Sequence, residues 1–182
     1  MTTDEITRRI WSELHTACSD KQHAWRSPVL ATVAHDGFPC ARTVVLRAVD
    51  ISARQLVFFT DRRSPKVQEL QACSRAEIVF WSQSLQWQLR AAVQVEVQTQ
   101  GIKVDQAWAR IKNSSAATDY LRSALPSATL ADTVPNSTTH PDDAHHLCLL
   151  VAWVHRLDWL ELAPQGHRRL RIQDTQTEWL VP

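Results

Sequence analysis

Three consecutive segments decide the fold of this chain: RTVVLR at residues 42–47, LVFFT at 56–60 and DRRSPK at 61–66. The first two are rich in β-branched and aromatic residues, which predicts two strands. The third predicts the start of a helix, with Ser64 as the N-cap and Pro65 as the first helical residue. The order is therefore strand, strand, basic loop, helix.

A helix start beside several cations and hydroxyls is suited to a phosphate group. The free backbone N–H groups of the first turn attract an anion, and Lys66 adds a positive charge. The alternative is a solvated basic loop ahead of an ordinary surface helix, which local sequence alone does not exclude.

The order of motifs resembles the FMN-binding signature of the pyridoxamine 5'-phosphate oxidase family. That family carries an Arg-x-Val-Leu-Leu-Lys strand, a Phe-Tyr-Thr strand end, a Ser-Arg-Lys helix start and a Leu-x-Arg-Gln-Val strand. This chain has comparable residues, in the same order, at 42–47, 58–60, 64–66 and 85–89.

The resemblance implies a mainly β fold with peripheral helices, the Greek-key FMN-binding split β-barrel, as a single domain over residues 1–182. It also implies a homodimer with FMN at the subunit interface. Many strands of moderate length with few glycines fit a barrel independently.

By this resemblance, Arg42, Thr60, Ser64 and Lys66 would hold the FMN phosphate. Arg42 and Arg47 have opposite parity on a regular strand, so they cannot reach one small ion without a bulge. We therefore expect Arg47 at the isoalloxazine end. The expected cofactor-binding residues are Arg42, Thr43, Val44, Val45, Leu46, Arg47, Phe59, Thr60, Ser64, Lys66, Gln88 and Arg169, the last two from the partner subunit.

The substrate side departs from the family. Arg47, Lys112 and His167 are the expected substrate residues, and no catalytic residue is identified. On the flavin side, Pro65 replaces an arginine beside Lys66, which removes a cation from the FMN phosphate and leaves Arg62 or Arg63 to compensate. The departures on the substrate side are Gln165 in place of an arginine, Leu160 in place of a tryptophan and Ala116 in place of a serine. These losses predict FMN binding without efficient use of vitamin B6 phosphates.

Composition favours a cytoplasmic protein. The net charge of +1 gives no general attraction to nucleic acid or an anionic membrane. The four cysteines are scattered, which predicts reduced thiols, and the sequence shows no signal peptide and no apolar run of about 20 residues.

Elsewhere, apolar periodicity predicts helices at 4–19, 104–112 and 116–123, the first capped by Thr3 or Asp4. Strands are predicted at 29–34, joined by a turn at 35–37 to the strand carrying Arg42, then at 76–81, 87–99, 167–172 and 179–181. Residues 147–162 are predicted to form two strands.

The segment 125–146 is polar and predicts a long, flexible loop. His140, His145 and His146 with Asp142 and Asp143 could be written as a metal site, but adjacent histidines in a polar loop rarely converge on one ion. We expect no metal.

Two other functions stay open. The chain could bind flavin without turnover, as a carrier, sensor or interaction module. A deazaflavin or heme could also replace FMN, as happens among split-barrel relatives.

Overall fold

The computed structural model describes residues 1–129 and 144–182, which form one nine-stranded antiparallel sheet with helices around it. This confirms the expected mainly β fold with peripheral helices. The strands are β1 (Val29–Val33), β2 (Pro39–Thr43), β3 (Leu46–Asp50), β4 (Gln55–Asp61), β5 (Arg75–Ser82), β6 (Trp87–Gln98), β7 (Leu147–Glu161), β8 (Arg168–Gln173) and β9 (Gln176–Leu180); the helices are α1 (Thr3–Ser19), α2 (Pro65–Ala72), α3 (Ile102–Ile111) and α4 (Thr118–Leu121), with short 3-10 turns at Ala24–Arg26 and Ser115–Ala117.

The sheet curves back on itself. Its main path runs β2-β1-β5-β6-β7-β4-β3, with β8 and β9 continuing from β7. In a flat sheet the first and last strands of that path would lie about 29 Å apart. Yet β2 and β3 are joined only by Val44 and Val45, a connection that spans at most about 11 Å. The covalent link therefore forces a closed curvature.

The inner face of the sheet holds the main core. Large aromatic side chains fill it, with Trp87 and Trp159 in an edge-to-face contact at 5.1 Å between ring centroids. The amphipathic helix α1 packs Ile6, Ile10 and Leu14 into this core. Burial of these apolar side chains is the main stabilising contribution to such a domain.

A second, smaller core lies on the outer face of β4 and β7. There α3 covers Leu149 and Val151 with Val104 and Ala107. Helix α2 packs into the main core through Val67 and Leu70, whereas α3 covers the second core. The two helices therefore border different parts of the candidate site.

The largest departure from the predicted elements is in the decisive stretch itself. Residues 42–47 are not one strand. The Val44 N–H still donates to the Pro28 carbonyl at 2.9 Å, in continuation of the β1–β2 pairing, whereas Leu46 already pairs with Phe58 of β4. Arg42 consequently ends up on β2 and Arg47 on β3.

Other boundaries also moved. Residues 147–161 form one strand rather than two, and the register with β6 shifts so that His155 is an extra residue. Such a bulge lets a long strand bend within a curved sheet. Thr2, not Thr3 or Asp4, caps α1 through a reciprocal capping box with Glu5. The helix predicted at 116–123 is only a 3-10 turn followed by α4.

The predicted loop at 125–146 falls mostly outside the described residues, as do His140, Asp142 and Asp143. Residues 125–129 and 144–146 contain no helix or strand. All four cysteines are free thiols. Within 1–129 and 144–182, no helix has the length and apolar character needed to cross a membrane, and no cluster of three potential metal ligands occurs.

Candidate functional site

Three of the residues predicted to bind a phosphate, Thr60, Ser64 and Lys66, lie close together where β4 ends and α2 begins. We call these residues, together with Arg42, the phosphate cluster. Lys66 donates from Nζ to Thr60 Oγ1 at 3.1 Å, and Thr60 Oγ1 lies 3.4 Å from Ser64 Oγ. Ser64 is the N-cap and Pro65 the first helical residue, as predicted, but the Ser64 hydroxyl makes no capping bond. That hydroxyl is therefore directed at Thr60 rather than at the helix backbone.

Arg42 reaches the same region from β2. Its Nη2 donates to Glu69 Oε2 at 2.7 Å, and its Nη1 contacts the Thr32 hydroxyl. Glu69 lies one turn beyond Lys66 on α2, and its charge is felt by Lys66. The sequence analysis missed Glu69, although its spacing of three residues from Lys66 places both on one face of a helix.

The cations in this cluster influence one another. The pKa of Lys66 is lowered, first by burial and then by the charge of Arg42; Cys148, Asp61 and Glu69 act in the opposite direction. An anion placed among these groups would relieve both the lost hydration and the repulsion. Burial raises the pKa of the neighbouring Cys148 to about 12, so this thiol stays protonated at neutral pH and is no nucleophile.

The two arginines before Ser64 do not both support the cluster. Arg63 forms a salt bridge with Asp61 at 2.7 Å and also donates to the carbonyls of Arg122 and Ser123. It is therefore committed to fixing the loop. Arg62 is exposed and donates its backbone N–H to the His146 carbonyl. Of the two residues expected to replace the missing arginine, only Arg62 has a side chain without a bond to the described residues.

Arg47 is the extra residue of a β-bulge. In the pairing of β3 with β4, Leu46 lies opposite Phe58 and Ala48 opposite Val57, which leaves Arg47 unpaired. Its guanidinium lies 5.6 Å from the Phe59 ring centroid. Its Nε is buried and has no hydrogen-bond partner in the part of the chain that the structure describes. A buried donor in this condition is a place where a bound group can gain a hydrogen bond.

The residues between the two arginines contribute differently. Val44 and Leu46 bury their side chains in the main core, so only their backbone could contact a cofactor. Val45 is half-buried and Thr43 is exposed at the end of β2. Together they form the link that joins the phosphate cluster to the Arg47 bulge.

Gln88 and Arg169 lie on one face of the sheet, on either side of Leu160. Both pair directly with Leu160, from β6 and from β8. Arg169 makes two hydrogen bonds of 2.9 Å to the Asp158 carboxylate, which raise its pKa. Within the described part of the chain, neither residue bonds to the phosphate cluster.

The expected substrate residues are not brought together. Lys112 is the C-cap of α3, and His167 is exposed before β8. Neither forms a hydrogen bond or ion pair with the other described candidates. Near Lys112, Trp108 stacks on His145 at 4.4 Å between ring centroids, and burial lowers the pKa of that histidine.

Taken together, the described residues fit FMN at two points. The cluster around Lys66 provides positive charge, hydroxyls and a helix N-terminus for a phosphate. The bulge supplies an unpaired guanidinium donor for a polar ring edge.

Comparison with known proteins finds a family match over the part of the chain that carries Arg42, Arg47 and Lys66. Residues 8–99 match the family model described as pyridoxamine 5'-phosphate oxidase, FMN-binding domain. Over 67 residues, 37% of this chain, the sequence is 49% identical to a pyridoxine/pyridoxamine 5'-phosphate oxidase of Thermosynechococcus vestitus and 45% identical to that of Chromohalobacter salexigens. The match spans only about a third of the length of these curated relatives, 31% and 30% respectively.

Solved structures share the fold over the whole chain. A pyridoxamine 5'-phosphate oxidase-related, FMN binding protein from Nostoc punctiforme aligns with a TM-score of 0.77 and 24% identity, covering 100% of both chains. PhzG from Burkholderia lata, in complex with tetrahydrophenazine-1-carboxylic acid, aligns with a TM-score of 0.71 and 18% identity, covering 98% of this chain and 92% of PhzG.

Proposed function

Because this chain belongs to the pyridoxamine 5'-phosphate oxidase FMN-binding domain family, we propose that it binds FMN and acts as an FMN-dependent oxidoreductase on a substrate other than a vitamin B6 phosphate. The observation that carries the proposal is the convergence of Thr60, Ser64, Lys66 and Arg42 at the start of α2.

The phosphate end of FMN is supported by charge. Lys66 is half-buried, and within the described part of the chain its hydrogen-bond partner is the neutral Thr60 hydroxyl. A phosphate would provide this ammonium with a charged partner, and such bonds are about twice as strong as neutral ones. The hydroxyls of Thr60 and Ser64 provide further donors beside it.

The ring end is supported by the Arg47 bulge. A guanidinium near the ring stabilises negative charge that develops on a reduced flavin, and arginine keeps its charge at any physiological pH. When bound, FMN supplies hydride and electron transfer itself. The chain has then to bind and orient, which fits a site without an acid–base pair.

A different substrate is supported by the losses at Gln165, Leu160 and Ala116, where the family resemblance places substrate-holding groups. The PhzG structure, with its bound carboxylic acid, has the same fold at a TM-score of 0.71. The fold is therefore not tied to vitamin B6 phosphates.

The test is an absorbance spectrum of the purified chain followed by titration with FMN and riboflavin. We expect the two visible bands of an oxidised flavin, or a dissociation constant for added FMN at or below the micromolar range, with weaker riboflavin binding. A heme-type spectrum, or equal affinity for both flavins, would contradict the proposal. Bleaching by a reductant and recovery in air would separate a redox-active protein from a passive carrier.

The complete site is proposed to form in a homodimer. Gln88 and Arg169 share a face of the sheet with Trp81, which pairs directly with Gln88 and is 41% exposed. A large exposed aromatic beside polar groups is typical of a surface that another chain covers. On this proposal, the partner subunit contributes its glutamine and arginine to the flavin held by Arg42 and Lys66.

Mixing two defective variants tests the shared site. Lys66→Ala and Arg169→Ala should each bind FMN weakly, whereas each mixed dimer should contain one intact site of two. Random exchange of equal amounts should therefore restore tight binding at about a quarter of all sites. Gln88→Ala serves as a second partner-side variant, since Arg169→Ala also leaves Asp158 without its partner. A monomer in sedimentation velocity, or no recovery after proven exchange, would refute the arrangement.

A further inference from the structure

A cleft of about 270 Å³ runs between α3 and the β3–β4 hairpin. Its volume is close to the lower end of small-molecule pockets. The floor of the cleft is apolar and belongs to the outer face of the sheet, with α3 as one wall. The apolar lining residues are Ala48, Val49, Val57, Phe59, Ala107, Leu149 and Val151.

One end of the cleft is electrically balanced. Asp50 and Lys103 both line it, and the charge of Lys103 adds to the hydrogen bonds from Ser52 and Ala53 that lower the pKa of Asp50. The lining here therefore contains one charge of each sign, at the tip of the hairpin and at the start of α3.

The cleft is also lined by two arginines that have no carboxylate partner among the described residues. Arg110 lies seven residues beyond Lys103, roughly 10 Å along the helix, and Arg47 lies a similar distance from Asp50 along β3. Both arginines line the cleft. Among residues 1–129 and 144–182, neither has a carboxylate partner. The buried Nε of Arg47 also has no acceptor among these described residues.

We propose that this cleft binds an organic monoanion with a flat apolar body, of the aromatic carboxylate type, with its anionic group between Arg47 and Arg110. The proposal rests on the proposed function, because Arg47 also borders the expected flavin ring and the occupant would be the substrate. The apolar body would cover Phe59 and Val57, while the anion pairs with the guanidiniums.

The cleft shares Arg47 with the positions that the family resemblance assigned to substrate, but its lining does not include Lys112 or His167. Lys112 is two residues from Arg110, which is about 200° around the helix axis. It therefore lies on the opposite flank of α3, beside the stacked Trp108 and His145. Helix α3 therefore has two flanks that could border a ligand. The cleft with its apolar floor lies on the flank that carries Arg110.

The test titrates FMN-loaded protein with 2-naphthoate and with the neutral 2-naphthamide by calorimetry. We expect one site per chain and an affinity for the acid at least tenfold above that for the amide. Arg110→Gln should weaken naphthoate binding about tenfold, the loss of one charge-assisted hydrogen bond, and leave the amide unchanged. Lys112→Gln, which removes a charge from the other flank, should leave both within twofold.

Equal affinities for acid and amide, or equal losses in the Arg110 and Lys112 variants, would overturn the proposal. The cofactor proposal and the cleft proposal can be refuted independently of each other. If wild-type protein binds FMN but naphthoate does not saturate, only the cleft proposal is wrong. If FMN does not bind, the cofactor assignment is wrong, and titration of the cofactor-free chain still decides the cleft. Arg110 is exposed, so its variant should fold, which thermal melting checks.

Discussion

FMN-loaded protein should oxidise pyridoxamine and pyridoxine 5'-phosphates with Michaelis constants in the millimolar range. Gln165 and Ala116 occupy positions where the resemblance places groups that hold the substrate phosphate. Each missing charge-assisted bond costs about 1.5 to 3 kcal/mol. Two such losses weaken binding by a factor on the order of 10² to 10⁴.

Steady-state assays with both phosphates decide this expectation. A Michaelis constant in the low micromolar range, with rapid turnover, would mean that the departures near β8 and α4 do not matter and that the chain is an efficient B6 phosphate oxidase. The double variant Gln165→Arg with Ala116→Ser should recover part of the lost affinity. Its FMN affinity should equal that of the wild type, since neither residue belongs to the phosphate cluster.

Lys66→Ala should lower the affinity for FMN by one to two decades and leave riboflavin binding almost unchanged. The reason is that Lys66 is placed to contact only the phosphate, and a charge-assisted hydrogen bond contributes about 1.5 to 3 kcal/mol. Fluorescence quenching of each flavin on titration with protein measures both constants.

The matched control is Lys21→Ala, which removes an exposed ammonium beyond the end of α1. It should bind FMN like the wild type. Equal losses for FMN and riboflavin in Lys66→Ala would remove the phosphate assignment, because they would indicate damage to the ring site or to the fold. Far-UV circular dichroism of both variants identifies the second case.

Local sequence was enough to predict features whose cause is local. The helix start at Pro65 follows from Ser64 and the proline, whatever the rest of the chain does. The alternation of Val93 and Val95 with polar residues likewise predicts a half-buried strand, and β6 shows that pattern. The contact between Lys66 and Thr60 is also local, because Thr60 lies near the end of β4, six residues before Lys66 in the chain.

Features set by distant partners were not predictable in this way. The segment 42–47 has the composition of one strand, but its halves pair with β1 and with β4 on opposite ends of the sheet path. The parity argument assumed that Arg42 and Arg47 share one strand, whereas Arg42 lies on β2 and Arg47 on β3. It could not predict that Arg47 is itself the bulged residue, because register depends on the facing strand. Glu69 was missed because only the folded chain brings Arg42 to it.

The salt bridge between Arg42 and Glu69 gives the pocket its own counter-ion. Without it, two half-buried cations would face each other in the cofactor-free chain and would oppose folding through repulsion. On the proposed assignment, an arriving phosphate exchanges one anion for another at Arg42. The chain can therefore fold before it is loaded, and it returns to a neutralised resting state each time the cofactor leaves.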